Sequence, residues 1–224
     1  MLKLIVFDWD DVFTAGSTEA YHTCYIQAAK DSGATVADST ITKVVDELWG
    51  RPYKNVIREF LKAEPELLTA VTEKYEAYIQ TDLFLDKLSI VDGSLDMLVR
   101  LEKVYTLAIV SGIDHSLLTD RVFPKFNVPD VFKKIITNSD LADRSRGKPN
   151  PDMLNTVLEF LNIKPEESVL VGDAPNDMKM AMAAGVTPIA VLTGQLDIRE
   201  AQDLQVPYIL NSVSELEPLL STFK

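Results

Sequence analysis

Short apolar stretches alternate with amphipathic segments along most of the chain, and this alternation predicts strands and helices in turn. The first stretch, residues 2–7, is almost continuously apolar, as is typical of a parallel strand covered on both faces. Further strands are predicted at residues 104–110, 134–137, 168–171 and 187–192, and helices at 94–103, after Asp114, at 152–161, at 176–184 and at the end of the chain. The pattern predicts an α/β fold with a doubly wound parallel sheet.

The region between residues 17 and 83 shows helical periodicity and no good strand. Helical segments are predicted up to Gly33, over residues 38–49, after Pro52 and after Pro65. We therefore expect an all-helical insertion after the first strand, with residues 15–86 as a cap domain and residues 1–14 and 87–224 as the core domain.

Composition and charge exclude several classes of protein. The chain has 224 residues, 46% of them hydrophobic, and a formal charge of −12, which disfavours binding to nucleic acid or anionic membranes. Cys24 is the single cysteine, and no Cys/His cluster has the spacing of a zinc site. The apolar N-terminal stretch is too short for a signal peptide or a membrane span. We expect a cytoplasmic protein that is a monomer or homodimer.

Two carboxylates follow the first predicted strand directly. If the chain is still extended there, Asp8 and Asp10 point to the same side. Such a pair suits Mg²⁺, with one carboxylate as a nucleophile and the other as a proton donor and acceptor. Asp at a strand end also forms turns and helix caps, so the pair alone decides little.

Other polar residues follow the later strands or precede a helix. Ser111 and Gly112 offer a hydroxyl and an unhindered amide to a phosphoryl oxygen, although a simple turn explains the two residues better when they are taken alone. Lys148 precedes a helix, where its ammonium group would neutralise phosphate, but most lysines are merely solvated.

Asp173 and Asp177 form an acidic pair at the entry to another helix. One could bind a metal while the other orients its waters or Lys148, and helix capping is the alternative. In a doubly wound sheet all these positions lie at the carboxyl ends of the strands, so we expect them to converge on one pocket.

Four short motifs, DWDDV, VSG, GKPNP and GDAPND, occur in this order. With them the chain resembles the haloacid dehalogenase superfamily, and the helical insertion resembles its C1 cap. Phosphoglycolate phosphatase-like and β-phosphoglucomutase-like members are the most similar. The resemblance implies a Mg²⁺-dependent phosphatase acting on a small phosphorylated metabolite.

The resemblance also implies a role for each matching residue. Asp8 would become an aspartyl phosphate, and Asp10 would act as general acid and base. Ser111 and the Gly112 amide would hold phosphoryl oxygens, and Lys148 would offset the charge at the nucleophile. The Mg²⁺ ligands would be Asp8, the Asp10 carbonyl and Asp173, with Asp177 supporting them from the outside.

Three residues depart from the common pattern of the superfamily. Asp11 stands where Gly is most frequent, and Asp tolerates unusual backbone angles, so the turn can survive. A third carboxylate there would change metal affinity or act as an outer ligand. Gly112 replaces a frequent Asn, and Ala15 a frequent Asp, so the substrate preference of close relatives does not transfer directly.

In relatives with a C1 cap, a cap loop near a glycine reaches over the site, and residues 48–54 around Gly50 resemble that segment. Arg51 and Lys54 are candidates for an anionic or polar substrate end, with Trp49 or Tyr53 as an apolar wall, while a solvated helix start explains the same residues. His22 and His115 are interpreted as surface or packing residues, because the mechanism lacks no base.

Alternative functions remain open at this point. A sugar-phosphate mutase shares the nucleophile, acid/base and metal, and differs in whether the closed cap excludes water. A phosphonatase would need a cap lysine, for which Lys30, Lys43, Lys54 and Lys62 are candidates. A catalytically idle binding module would retain the fold without needing the whole set of residues.

Overall fold

The first apolar stretch forms strand β1 at the centre of a six-stranded parallel sheet in the computed structural model, which describes residues 1–223. Its four residues are buried, since strands pair with it on both sides. Strand β1 is Leu4–Phe7, and the other strands of this sheet are β4 Thr106–Ser111, β5 Phe132–Thr137, β6 Ser168–Gly172, β7 Thr187–Val191 and β8 Tyr208–Leu210. Two short strands, β2 Thr14–Ala15 and β3 Ser89–Ile90, form a separate two-stranded sheet. The sheet order β5-β4-β1-β6-β7-β8 confirms the predicted doubly wound α/β core.

The register of the central strands sets their carboxyl ends side by side. Phe7 lies opposite Ile109 of β4 and Val171 of β6. The residues that follow β1 and β6, and the last residue of β4, therefore lie at one edge of the sheet. The strand order reverses beside β1, which is where ligands bind in open sheets of this kind.

The chain divides into two compact units. One comprises Met1–Ala15 and the chain from Ile90 onward, and the other is Gly16–Ser89. The second unit is helical, with α1 Ser17–Asp31, α2 Asp38–Glu47, α3 Tyr53–Phe60, α4 Leu68–Tyr78 and α5 Asp82–Leu85. Within it, the Tyr25 ring of α1 stacks on Tyr75 of α4 with centroids 4.1 Å apart, and Tyr53 of α3 stacks on the same ring at 5.3 Å. Its function as a cap stays a prediction.

The single thiol of the chain lies inside this helical unit. Cys24 on α1 is fully buried, and burial raises its pKa to about 12. Because the thiolate is the reactive form, we expect native protein at pH 8 to resist alkylation by iodoacetamide. Mass spectrometry should show no adduct under these conditions and one adduct per chain in concentrated urea. Complete labelling of the native protein within minutes would contradict this.

Helices cover both faces of the sheet in the other unit. They are α6 Ser94–Leu101, α7 Phe123–Phe126, α8 Asp152–Leu161, α9 Pro175–Ala183, α10 Ile198–Asp203 and α11 Leu216–Leu220. Leu4 and Val6 of β1 pack in one buried cluster with Met153 and Val157 of α8, which explains the apolar spacing of that helix. Among the described residues, no helix combines the length and the apolarity that a bilayer crossing requires.

Several elements differ from those expected. Strand β4 begins at Thr106 rather than Val104, whose side chain is 71% exposed. The helix predicted after Asp114 contains a π-helical stretch, Leu117–Val122, before α7. Strand β8 was not predicted, because its three residues are only half-buried at the edge of the sheet and carry little periodicity.

Candidate active site

Asp8 is the first residue after β1 and is held on both sides of its carboxylate. Its backbone N–H donates to the Val171 carbonyl of β6 at 2.9 Å. Its Oδ1 accepts a hydrogen bond from the Trp9 N–H at 2.7 Å, and its Oδ2 lies 2.9 Å from Lys148 Nζ. The predicted nucleophile is therefore fixed in one orientation at the centre of the sheet edge.

Lys148 joins two of the predicted acidic residues. Its ammonium nitrogen lies 2.9 Å from Asp8 Oδ2 and 2.6 Å from Asp177 Oδ1. All three side chains are buried, with Asp177 fully inaccessible. The segment before α8 and the start of α9 are thus tied to the end of β1 by ion pairs in a region that excludes water.

Asp177 serves the helix as well as the cluster. Its Oδ2 accepts the Ala174 N–H at 3.2 Å at the beginning of α9, so the capping interpretation also holds. Oxygen atoms from Asp8, Asp173 and Asp177 lie within 4.8 Å of one another. These three carboxylates, which the sequence placed after two different strands, meet in one cluster.

Burial and like charge act together on these carboxylates. Burial raises the pKa of Asp177 to about 6, although the positive charge of Lys148 opposes the shift. Burial also raises the pKa of Asp173 well above its ordinary value, and the negative charges of Asp177, Asp8 and Asp11 raise it further. Burial alone would lower the pKa of Lys148, but Asp177 and Asp8 outweigh it and raise that pKa. The charged forms of Asp173 and Asp177 are therefore disfavoured unless a further cation is present.

In the described residues, buried charged side chains occur only in this cluster and the adjacent turn at Asp11. Over residues 1–223, the buried charged side chains are those of Asp8, Asp11, Lys148, Asp173 and Asp177. Four buried carboxyl groups accompany one buried ammonium group, so an additional cation would stabilise the carboxylate forms. Clustered carboxylate oxygens are the ligands that Mg²⁺ prefers in proteins, and the residues present fit such an ion.

Asp10 and Asp11 form the turn that leaves β1. Asp11 is buried and has a backbone φ of 54°, in the left-handed region where Gly is the usual residue. Its N–H donates to Thr14 Oγ1 at 3.3 Å. The left-handed turn is thus present with Asp in the position where the resemblance led us to expect Gly, while Asp10 is partly accessible.

Ser111 and Gly112 lie at the end of β4, next to β1. The Ser111 side chain is 1% exposed and its Oγ accepts the Ile113 N–H at 3.4 Å. Gly112 is exposed, and a Cβ placed on it would meet no atom within 4 Å. Gly112 therefore lies exposed at the same sheet edge as Asp8.

Comparisons with known proteins agree with the fold described above. A family model described as haloacid dehalogenase-like hydrolase matches residues 5–191. The chain belongs to this family. The haloacid dehalogenase-like assignment covers the helical unit as well as β1, β4, β5, β6 and β7 of the sheet, and it confirms the resemblance inferred from the four motifs.

Two curated relatives are similar over part of the chain. A phosphoglycolate phosphatase of Escherichia coli strain K12 is 32% identical over 117 residues, which cover 49% of this chain and 45% of that protein. The pyrophosphatase PpaX of Bacillus mycoides strain KBAB4 is 32% identical over 97 residues, 43% of this chain and 44% of that protein. The similarity thus spans less than half the length of these relatives.

A solved structure has the same fold over nearly the whole chain. A haloacid dehalogenase-like family hydrolase from Streptococcus pneumoniae superimposes with a TM-score of 0.79 at 19% identity, and 98% of each chain is covered. At this level of identity the comparison shows the haloacid dehalogenase-like fold alone.

The predicted specificity residues lie in the helical unit. Arg51 and Lys54 are exposed, and Lys54 Nζ lies 3.6 Å from a Glu76 carboxylate oxygen. The Trp49 ring is half-buried and packs edge-on against Tyr21 with centroids 5.7 Å apart. Their role toward a substrate stays a prediction.

The two histidines have acidic partners that are not members of the carboxylate cluster. His22 Nε2 lies 2.8 Å from Asp46 Oδ1 in the helical unit. His115 Nδ1 lies 3.0 Å from Asp140 Oδ2, beyond the end of β5. Both contacts agree with the interpretation of these residues as surface or packing histidines.

Sequence reasoning missed the segment after β7. The Gln195 N–H donates to Asp173 Oδ2 at 3.2 Å, and the Leu196 N–H donates to the Asp173 carbonyl at 2.7 Å. Backbone N–H donors cannot be recognised from residue types, so only the presence of Gly194 after a strand could have pointed to this segment.

Proposed function

We propose that this chain is a Mg²⁺-dependent phosphatase that hydrolyses a small phosphorylated metabolite through an aspartyl phosphate on Asp8. The observation that carries the proposal is the buried ion-pair cluster of Asp8, Lys148 and Asp177 beside Asp173, at the strand ends of a haloacid dehalogenase-like sheet. The names of the two curated relatives, a phosphoglycolate phosphatase and a pyrophosphatase, support phosphoryl chemistry.

The donor set around Asp8 suits a hard divalent cation. Asp8, the Asp10 carbonyl and Asp173 would hold Mg²⁺, and Asp177 would support them through its ion pair with Lys148. When bound, Mg²⁺ would neutralise part of the charge on the transferring phosphoryl group. The excess of buried carboxylates over ammonium groups is the physical reason to expect this ion.

The residues divide the reaction into two steps. Asp8 Oδ attacks phosphorus, the bond to the leaving oxygen breaks, and Asp10 donates a proton to that oxygen. Asp10 then removes a proton from the water that attacks the aspartyl phosphate, which releases inorganic phosphate and restores Asp8. Lys148, Ser111 and the Gly112 amide stabilise the negative charge on the transferring oxygens.

The negative net charge of the chain restricts where a phosphorylated substrate can bind. With a net charge of −12, the chain attracts a phosphorylated compound only where cations are concentrated locally. We propose phosphoglycolate or a sugar phosphate as the substrate, and Arg51, Lys54 and Trp49 as the residues that select among such compounds. A cytoplasmic location is part of this proposal.

A panel of small phosphate compounds tests the proposal. Phosphoglycolate, hexose phosphates and pyrophosphate are incubated with the protein in Mg²⁺ or in EDTA, and inorganic phosphate is measured. We expect release from at least one compound in Mg²⁺ and none in EDTA. An isomerised sugar phosphate without release would favour the mutase, and Mg²⁺-dependent binding without any turnover would favour the idle binding module.

The unusual residue Asp11 gives a separate prediction. Substitution by Gly removes a negative charge that contributes to the raised pKa of Asp173 and relieves the left-handed backbone of a non-glycine residue. We expect the metal-free Asp11→Gly protein to unfold with a free energy about 1 kcal/mol higher, and to bind Mg²⁺ more weakly. Urea denaturation in EDTA measures the stability, and calorimetric titration measures Mg²⁺ affinity. If stability and Mg²⁺ affinity both rose or both fell, this interpretation of Asp11 would be wrong.

A further inference from the structure

A short segment after β7 contacts two parts of the candidate site at once. We call residues 193–196 the β7 loop. The Thr193 hydroxyl donates a hydrogen bond to the Asp11 carbonyl, and the Gln195 N–H donates to Asp173 Oδ2 at 3.2 Å. The Leu196 N–H donates to the Asp173 carbonyl at 2.7 Å, so Asp173 is held through both its side chain and its backbone.

The approach of the β7 loop to Asp173 requires a glycine. A Cβ on Gly194 would lie 1.8 Å from Asp173 Oδ2, 2.6 Å from its Cγ and 2.9 Å from its Cβ. A clash that extends to the Cβ cannot be relieved by rotating the carboxylate alone. Any larger residue at position 194 therefore displaces Asp173 or the loop.

The two contacted residues belong to different strands. Asp11 closes the left-handed turn that begins at the end of β1 and carries Asp10, and Asp173 directly follows β6. The hydrogen bond to the Asp11 carbonyl restrains the peptide plane after that residue, and the bond to Asp173 Oδ2 restrains the rotation of the carboxylate. One loop thus fixes the proposed acid/base turn and a proposed metal ligand relative to each other.

We propose that the β7 loop is a positioning element of the site, in which Thr193 orients the turn carrying Asp10 and residues 194–196 orient Asp173 for the metal. This inference rests on the proposed function. The donors from the β7 loop to Asp11 and Asp173 are a hydroxyl and backbone N–H groups, so the proposed effect is exerted through these two residues.

Gly194→Ala tests the half of the inference that concerns Asp173. Magnesium chloride is titrated into wild type and variant by calorimetry, and the melting temperature in EDTA reports folding. We expect a dissociation constant for Mg²⁺ at least tenfold higher in the variant, whose metal-free protein still melts cooperatively. Affinity equal to that of wild type would overturn this half.

Thr193→Val and Thr193→Ser form a matched pair for the other half. Thr193 is exposed, so neither change disturbs the core. Valine keeps the shape and loses the donor, and serine keeps the donor. With the best substrate of the panel, we expect kcat to fall about three- to tenfold in the valine variant with KM unchanged, and to return in the serine variant. Equal kcat for valine and wild type, or equal loss in both variants, would overturn the role of the hydroxyl.

These outcomes separate the inference from the proposed function. Wild-type protein that neither binds Mg²⁺ nor releases phosphate would overturn the proposed function together with the inference. Wild-type protein that does both, with Gly194→Ala and Thr193→Val indistinguishable from it, would overturn the inference alone.

Discussion

Replacement of Asp8 by asparagine is expected to lower phosphate release by about 10⁴-fold or more, because an amide cannot form the aspartyl phosphate. The change is nearly isosteric and retains one oxygen acceptor for the Trp9 N–H or for Lys148. It also removes one negative charge from a cluster in which buried carboxyl groups outnumber the one buried ammonium group, so the metal-free variant should remain folded. The measurement is steady-state phosphate release, with circular dichroism to verify the fold.

A matched substitution separates the role of Asp8 from a general loss of charge. Asp96 on α6 is exposed, and Asp96→Asn should leave phosphate release unchanged. Mass spectrometry of acid-quenched wild type should detect a phosphorylated peptide containing Asp8 that is absent from Asp8→Asn. Activity within tenfold of wild type in Asp8→Asn would place the nucleophile elsewhere.

Replacement of Lys148 by methionine is expected to lower the free energy of unfolding at pH 7 by about 3–5 kcal/mol, which is typical of breaking a buried ion pair from one side. Lys148 is the only buried cation in the described chain, and its removal leaves Asp8 and Asp177 without their ammonium partner. Urea denaturation in EDTA measures the change. Phosphate release should fall as well, since the charge beside Asp8 is lost.

Two further variants make the Lys148 result specific. Lys164→Met, at an exposed lysine, should change the free energy of unfolding by less than about 0.5 kcal/mol. Adding Asp177→Asn to Lys148→Met should restore part of the lost stability, because one of the two stranded carboxylates is then neutral. A double variant less stable than Lys148→Met would argue against the ion-pair explanation.

Much of the fold could be predicted because it depends on periodicity. The continuous burial of β1 and the amphipathic spacing of α8 both follow from apolar positions that are visible in the sequence. Tyr208–Leu210 could not be found in this way, since an edge strand of three half-buried residues has too few positions to show a period. The exposed Val104 shows the opposite error, because a β-branched residue alone does not make a strand.

The candidate site could be predicted in its residues but not in its geometry. Asp8, Lys148 and Asp177 were expected to meet because strand ends converge in a parallel sheet, and the contact distances agree with that argument. Which carboxylate pairs with Lys148 depends on side-chain rotamers, and these cannot be inferred from the sequence pattern. The contacts of the β7 loop to Asp173 come from backbone N–H groups, which every residue except proline has, so a sequence indicates them only indirectly, through Gly194.

The confinement of buried charge to one cluster has a practical consequence for finding the substrate. Because the rest of the described interior is uncharged, changes in melting temperature caused by small ionic ligands should originate mainly at the sheet edge around Asp8. A compound that binds only the folded state raises the melting temperature by an amount that grows with the logarithm of its concentration relative to its dissociation constant. Thermal-shift screening of a metabolite library with Mg²⁺, using Asp8→Asn to prevent turnover, would therefore rank substrates without an assay for any one reaction.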